Sequence, residues 1–311
     1  MFLRPSEFYA QRGIISNRGM NYMMLNKLQA NFYKGDGQIQ SSQRLKGNHT
    51  IMSPYGYELG EILIDDLNII RFEDNELIFS VLITEDNRGS MRLLGRMAEA
   101  LMVRRCAEDI ETNKRWLRKG MMSAIHKRTA EKFHAVGTGL ASTKKNHPHK
   151  YNPSDSQRDI IWIDNKGNQA MMPSARDWNS GIPAGLQLKV STNGIGYILH
   201  DLNTYRYEVP LVYFGLEDDF DNIVEKYCDS IKRKQEDNFI IRPGEHFINA
   251  KSEDPSIYDA LKYYQPIIHD LCAGKIKLED IIYLTRNDFA LKNAVATKAL
   301  NNMNMRTFIT L

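Results

Sequence analysis

The sequence predicts an α/β (α+β) fold: a mixed central sheet flanked by helices, with an added N-terminal antiparallel region and a helical C-terminal region. Three observations predict it. Residues 59–84 alternate apolar and polar side chains in two runs. Residues 90–113 carry an apolar stripe at helical spacing. Three short apolar segments, 159–164 (DIIWID), 186–191 (LQLKVS) and 209–215 (VPLVYFG), follow one another with turn or helix signals between them. Side chains that alternate with period 2 mark half-buried strands, and a period near 3.6 marks a helix with one buried face.

The chain has 311 residues, 42% of them hydrophobic, enough for one elaborated domain or two smaller ones. Charged residues make up 25%, an ordinary share for a folded protein. No apolar run approaches the roughly 18 residues needed to cross a bilayer. Residues 1–16 lack the basic-then-apolar order of a secretion signal. The expectation is a cytoplasmic protein with no membrane partner. Cys106, Cys228 and Cys272 are odd in number and far apart, which argues against a disulfide framework or a structural zinc site.

Taken in order, residues 1–50 are polar. Residues 20–32 suit a short helix and 34–47 a loop. The runs ILIDDLNIIRF and ELIFSVLIT flank Glu73, Asp74 and Asn75, a hairpin signal. Residues 90–113 read as a helix that Ser90 can cap, with Leu94, Met97, Ala98, Leu101 and Met102 on its apolar side. A second, basic helix is expected over 114–136. Helices are further expected over 195–203 and 218–234, and the chain from Arg242 onward reads as mostly helical, broken at Pro243, Pro255 and Pro266. The domain reading is 1–89 for an N-terminal region whose hairpin can extend the central sheet, 90–237 for the core, and 238–311 for the C-terminal region.

Charge is distributed unevenly. Net charge is only +3, yet residues 113–150 hold ten Lys and Arg against one acid, Glu131. Either this is a solvated basic helix or it is a face that attracts a polyanion. No glycine-rich phosphate loop, nucleophile elbow or HExxH motif is present. His147 and His149 lack partners at zinc-ligand spacing, which leaves them a loop or phosphate-contact role.

The chemistry concentrates on the strand LQLKVS. Gln187 and Lys189 share one of its faces, and Leu188 lies on the other. By itself this fits an edge strand with its polar face in water. Asp159, at the mouth of the preceding strand, changes the reading. An aspartate on one strand beside a Gln-x-Lys on the next resembles the PD-(D/E)xK nuclease superfamily in its Gln-x-Lys variant. There a glutamate-bearing helix precedes the aspartate strand, the motif strand, a helix and a further strand. The resemblance spans roughly residues 90–215. It departs from the pattern at Arg158, which stands where the motif's proline would be.

The resemblance implies a restriction-endonuclease-like core and a divalent-metal-dependent nuclease, an endodeoxyribonuclease acting on double-stranded DNA, in a context such as restriction or anti-phage defence. It implies Mg²⁺ (or Mn²⁺) held by Asp159, by the backbone carbonyl of Leu188 and by a helix glutamate. Two candidates stand for that glutamate: Glu99, preferred, in GRMAEALMV, and Glu131 in RTAEKFHAVG. Gln187 offers a neutral amide oxygen, and Lys189 orients water or meets developing charge. Lys144, Lys145, Lys150 and Ser191 are the expected nucleic-acid contacts, with Tyr151 and Trp178 as stacking candidates. Asp164 and Asp177 suit turns better. DNA is the expected partner. A homodimer and a regulatory or sensor protein are compatible with it. Because Gln187 removes a carboxylate, a non-catalytic nuclease-like module that binds nucleic acid or protein is the alternative, and a virion or scaffold protein a third.

Overall fold

The computed structural model describes residues 49–52, 57–73, 76–80, 88–174, 180–233, 241–276, 278 and 283–286. The expected helix at 20–32 and the acid and indole of Asp177 and Trp178 lie outside them. The chain divides into two units, residues 1–86 with 270–311, and residues 87–269. Both combine helices and small sheets, an α+β composition. Among the described residues no helix is long and apolar enough to cross a membrane.

In the first unit, β1 (His49–Met52) pairs antiparallel with the last strand, β11 (Tyr283–Arg286). The helix α1 (Tyr57–Glu61) runs into a π-helical turn, Ile62–Asp66. Then β2 (Ile70–Glu73) and β3 (Glu76–Phe79) form the antiparallel hairpin that the turn signal predicts. Half of the first expected strand is therefore helical. Leu59, Ile62, Leu63, Asp66 and Leu67 are buried, a spacing of three and four that belongs to a helix. Alternation in ILIDD hid that longer period.

The second unit opens with α2 (Arg88–Glu108), whose buried stripe includes Leu94, Met97, Ala98, Leu101 and Met102. Ser90 lies inside this helix and is buried, so it is not the cap. A new helix, α3 (Ile110–Met121), begins where the Asp109 carboxylate accepts the Thr112 N–H at 2.8 Å. It ends at Met122, in left-handed conformation. The basic segment is thus not one helix to residue 136. After a short α4 (Lys127–Ala130) comes β4 (Phe133–Gly137), a strand that the sequence reading missed.

Strand β4 pairs antiparallel with β5 (Ile160–Asp164), Gly137 opposite Ile160 and Phe133 opposite Asp164. The connection holds α5 (Ala141–Asn146) and a 3₁₀ turn, Pro148–Lys150. A small hairpin, β6 (Met171–Pro173) with β7 (Gly181–Pro183), leads to β8 (Gln187–Ser191). Then follow α6 (Ile195–Asn203), β9 (Leu211–Gly215), α7 (Phe220–Arg233), β10 (Phe247–Asn249), α8 (Ala250–Glu253) and α9 (Pro255–Cys272). Strands β8, β9 and β10 are parallel, with β9 in the middle. Residues 243–269 therefore belong with this sheet rather than with a separate C-terminal region, and Pro266 lies within α9 instead of breaking it.

A single antiparallel bridge joins the two groups of strands: Ile160 N–H to Leu186 O at 3.0 Å and Leu186 N–H to Ile160 O at 2.9 Å. The order across the unit becomes β4-β5-β8-β9-β10. Gly185 permits this approach, since a Cβ there would sit 2.7 Å from the Ile160 carbonyl oxygen. Beyond the bridge β5 and β8 part, leaving one edge of β8 open.

Asn113 ties the helices to the strands. Its amide donates to Ala130 O at 3.1 Å and Phe133 O at 2.8 Å, and its oxygen accepts Trp162 Nε1–H at 2.9 Å. Asn113, Ala130 and Trp162 are buried and the bond to Phe133 O is partly so, which leaves little room for water to replace a missing partner. Asn113→Ala is expected to destabilise the second unit by about 2–4 kcal/mol. Urea unfolding followed by fluorescence of the buried Trp116 and Trp162 checks this, and an unchanged midpoint contradicts it.

Candidate functional site

Where β5 and β8 part, backbone groups on the open edge of β8 need partners. Gln187 N–H donates to Pro210 O at 3.0 Å, toward β9. Alternation then turns the N–H and C=O of Leu188 to the open edge. Asp159, one residue before β5, meets that need. Its Oδ2 accepts the Leu188 N–H at 2.7 Å and the Gln187 side-chain amide at 2.5 Å. Asp159 is itself held by its backbone, its N–H donating to Leu186 O and its carbonyl accepting the Thr138 N–H at 2.8 Å. Its second oxygen, Oδ1, has no hydrogen bond among the described residues.

Glu99 reaches the same place from α2. Its Oε2 lies 3.7 Å from where a Cβ on Gly139 would stand, and Pro153 Cα borders that same point. Gly139 follows Thr138, which is bonded to Asp159. Burial pushes the Glu99 carboxyl well above the usual range, and the charge of Asp159 pushes it further, against Arg96. Burial likewise raises Asp159, to about 6, while the Leu188 N–H, Lys189 and Gln187 hold it down and Asp155 adds to the rise. Two acids with raised pKa values beside each other mark a place where negative charge is crowded and short of a counter-ion.

Gln187 supplies a further sign. The residue is buried, and its Oε1 has no hydrogen-bond partner. The amide orientation is fixed, since its nitrogen donates to Asp159 and the reverse would set two acceptors together. An unpartnered buried acceptor costs about 1–3 kcal/mol unless a donor or cation meets it. Lys189 lies on the same face of β8, its Nζ 5.4 Å from the Tyr207 ring centroid.

The structure therefore brings together Asp159, Gln187, Leu188, Lys189 and Glu99. It does not bring Glu131. That residue is exposed, two positions before β4, at the Asp164 end of the β4–β5 pair. Five residues of strand, about 15 Å or more, separate it from Asp159. Asp164 is a turn residue: the Asn168 side-chain amide donates to it at 3.0 Å and the backbone N–H groups of Asn168 and Lys166 at 2.8 Å, which lowers its pKa.

Lys144 and Lys145 are exposed on α5 and Lys150 is half-buried on the 3₁₀ turn; none forms an ion pair among the described residues. Lys144 Nζ stands 5.4 Å from the half-buried Tyr151 ring. The connection carrying them is anchored beside the acids, with Asn152 N–H on Thr138 O at 2.9 Å. The α3 cations, by contrast, are partly neutralised: Lys114 pairs with Glu111, Arg115 with Asp254 and Lys119 with Glu253. His147 packs 5.2 Å from His134. Ser191 is buried, and its Oγ accepts the Asn193 N–H at 3.0 Å. The next amide, Gly194 N–H, is taken by Asp219 at 2.7 Å. Ser191 is thus a turn residue, and the start of α6 already holds a carboxylate where a phosphate was expected.

Three residues at the site carried no expectation from sequence. Asp155 accepts the N–H groups of Gln157 and Arg158 and pairs with the Arg158 guanidinium at 3.1 Å. Gln157 bonds the backbone of Arg206 and Glu208. Tyr207 lies against Lys189. Only the Asp155 turn had a signal, in SDSQR.

Among the described residues no group of three or more His, Cys, Asp and Glu side chains is placed to hold a metal. The donors here are two carboxylates, the Leu188 carbonyl and the Gln187 amide oxygen, all hard oxygens that suit Mg²⁺ or Mn²⁺. The unpartnered Gln187 Oε1 fits a cation at this point. Comparison of the chain with protein-family models, with curated proteins and with solved structures finds no match.

The raised pKa of Asp159 has a consequence for stability. Unfolded, the group titrates near 3.8; folded, near 6. The folded state binds the extra proton between these values, so stability is lost as pH rises from about 4 to about 6. Asp159→Asn is expected to raise the melting temperature at pH 7.5 in EDTA, with the gap closing toward pH 4. A gap independent of pH, or a less stable variant at pH 7.5, contradicts the burial argument.

Proposed function

We propose that the protein is a divalent-metal-dependent nuclease of PD-(D/E)xK type, hydrolysing phosphodiester bonds of double-stranded DNA at the cluster of Asp159, Glu99, Gln187 and Lys189. The observation that carries the reading is the buried Gln187, its amide nitrogen on Asp159 and its Oε1 unpartnered, at a place where two carboxylates have raised pKa values. The order α2, β5, β8, α6, β9 supports it, with Glu99 on the helix, Asp159 one residue before β5, and Gln187 and Lys189 on β8.

Asp159, Glu99, the Leu188 carbonyl and Gln187 Oε1 would hold Mg²⁺ or Mn²⁺. When bound, such an ion neutralises charge on the phosphoryl oxygens and lowers the pKa of its water. The chain supplies the rest. Asp159 Oδ1 is left free to face the ion because Oδ2 is committed to the Leu188 N–H and Gln187. The Lys189 ammonium, on the same face as Gln187, meets negative charge that builds on the phosphate or orients the attacking water. Lys144, Lys145 and Lys150 hold the backbone of the substrate without reading sequence.

Purified protein is expected to cleave plasmid DNA in Mg²⁺ or Mn²⁺ and not in EDTA. Asp159→Ala and Lys189→Ala should each lower the rate on the order of 10²–10³-fold or more. Cleavage unchanged in both variants overturns the site. Because the site has only two carboxylates, a binding module without catalysis is the second reading. It gains if wild type binds duplex DNA but never cleaves it. In either case the triple change Lys144→Ala, Lys145→Ala, Lys150→Ala should reduce the slope of log Kobs against log salt by roughly 2–3, about 0.9 for each phosphate no longer neutralised. Fluorescence anisotropy with a labelled duplex measures it, and an unchanged slope removes these lysines from the interface.

A further inference from the structure

We infer that Tyr207, latched in place by Gln157, is the positioning residue for Lys189. This rests on the proposed site. A lysine at the edge of a sheet has four rotatable bonds and, without a support, spreads its ammonium over several ångströms of solvent. Here the half-buried Lys189 carries its Nζ to 5.4 Å from the Tyr207 ring centroid, and the buried ring presents its electron-rich face. The ring is fixed at both ends. Its hydroxyl donates to Asp201 Oδ2 at 3.2 Å, and Asp201, also buried, is held by Arg206 at 3.0 Å. On the backbone side, the Gln157 side-chain amide spans Tyr207: Nε2 donates to Arg206 O at 3.2 Å, and Oε1 accepts the Glu208 N–H at 3.0 Å.

Gln157 stands two residues before Asp159, in the turn that Asp155 organises. One side chain therefore joins the segment that aims the Asp159 carboxylate to the segment that supports the Lys189 ammonium. Asp159 lies one residue before β5 and its carboxylate is tied to β8 through the Leu188 N–H, but that bond does not fix where the Lys189 ammonium stands. The Gln157 amide and the Tyr207 ring do. Among the described residues neither side chain has a hydrogen bond to the oxygen cluster.

The test uses the full-length protein with lysines reductively ¹³C-methylated, the Lys189 resonance being identified by its loss in Lys189→Arg. In wild type that resonance should carry an upfield ring-current shift. Tyr207→Leu should abolish the shift and Gln157→Ala should reduce it, while Tyr207→Phe, which keeps the ring, should retain it. In cleavage assays Tyr207→Leu and Gln157→Ala should lower kcat on the order of tenfold to a hundredfold with KM nearly unchanged, the signature of a misplaced group rather than weakened binding. Tyr207→Phe should keep most of the wild-type kcat. If Tyr207→Leu fails to fold, Gln157→Ala and Tyr207→Phe carry the comparison. A Lys189 resonance identical in wild type and Gln157→Ala, or a kcat that Tyr207→Phe lowers as much as Gln157→Ala does, overturns the inference. If wild type does not cleave DNA at all, the nuclease reading falls, and the resonance shifts still decide whether Tyr207 positions Lys189.

Discussion

The hydrogen bond from Leu188 N–H to Asp159 Oδ2 is the interaction on which the candidate site depends. It exists because β5 and β8 share only the Ile160–Leu186 bridge and then separate. A strand that loses its neighbour exposes an N–H and a C=O at every second residue. Inside a protein such groups must be met. The chain meets the first of them with a carboxylate instead of a backbone carbonyl. That single exchange places a negative charge at the fork and directs the Leu188 carbonyl into the same gap. It also orients Gln187 so that its nitrogen faces Asp159 and its oxygen faces nothing.

The arrangement is held against its own electrostatics. Glu99 and Asp159 are both raised by burial and by a neighbouring acid, and Arg96 for the first and Lys189 for the second offset only part of this. A fold selected for stability alone would place an apolar side chain at position 99, in the midst of a helix whose buried residues include Leu94, Met97, Ala98 and Met102. Sites that work against local stability in this way are where function concentrates. The surrounding structure supplies the stiffness the fork lacks: Asn113 fixing α3 to β4 and β5, the Asp155 turn, and the Gln157 amide.

Much of this was legible in the sequence, and the reasons for the rest are specific. Strands β5, β8 and β9 and helix α6 were readable because short apolar runs between turn signals have few other uses. Asp159, Gln187 and Lys189 could be grouped since adjacent strands bring them together whatever the details. Strand β4 was not readable: FHAVG is five residues long, follows a helix directly and carries no turn signal of its own, so it merged with the basic helix before it. Without that strand Glu131 belongs to a helix and stands as a candidate for the helix glutamate. The strand turns the chain back and puts Glu131 at the far end of the pair. Ser191 looked available because its partners Tyr213 and Leu216 lie over twenty residues further on. Tyr207 and Gln157 had no local signature, because their role is a contact between two loops. The N-terminal run ILIDD showed the opposite error, a helical period read as alternation.

The central claim is that the fork between β5 and β8 is a cation site. The most direct measurement is anomalous scattering from Mn²⁺-soaked crystals of the full-length protein. One strong peak is expected at bonding distance, roughly 2.0–2.6 Å, from Asp159 and from the Leu188 carbonyl oxygen, with Glu99 and Gln187 Oε1 facing it. The peak should disappear in Asp159→Ala. No peak at the fork, or one that survives the loss of Asp159, would contradict that claim.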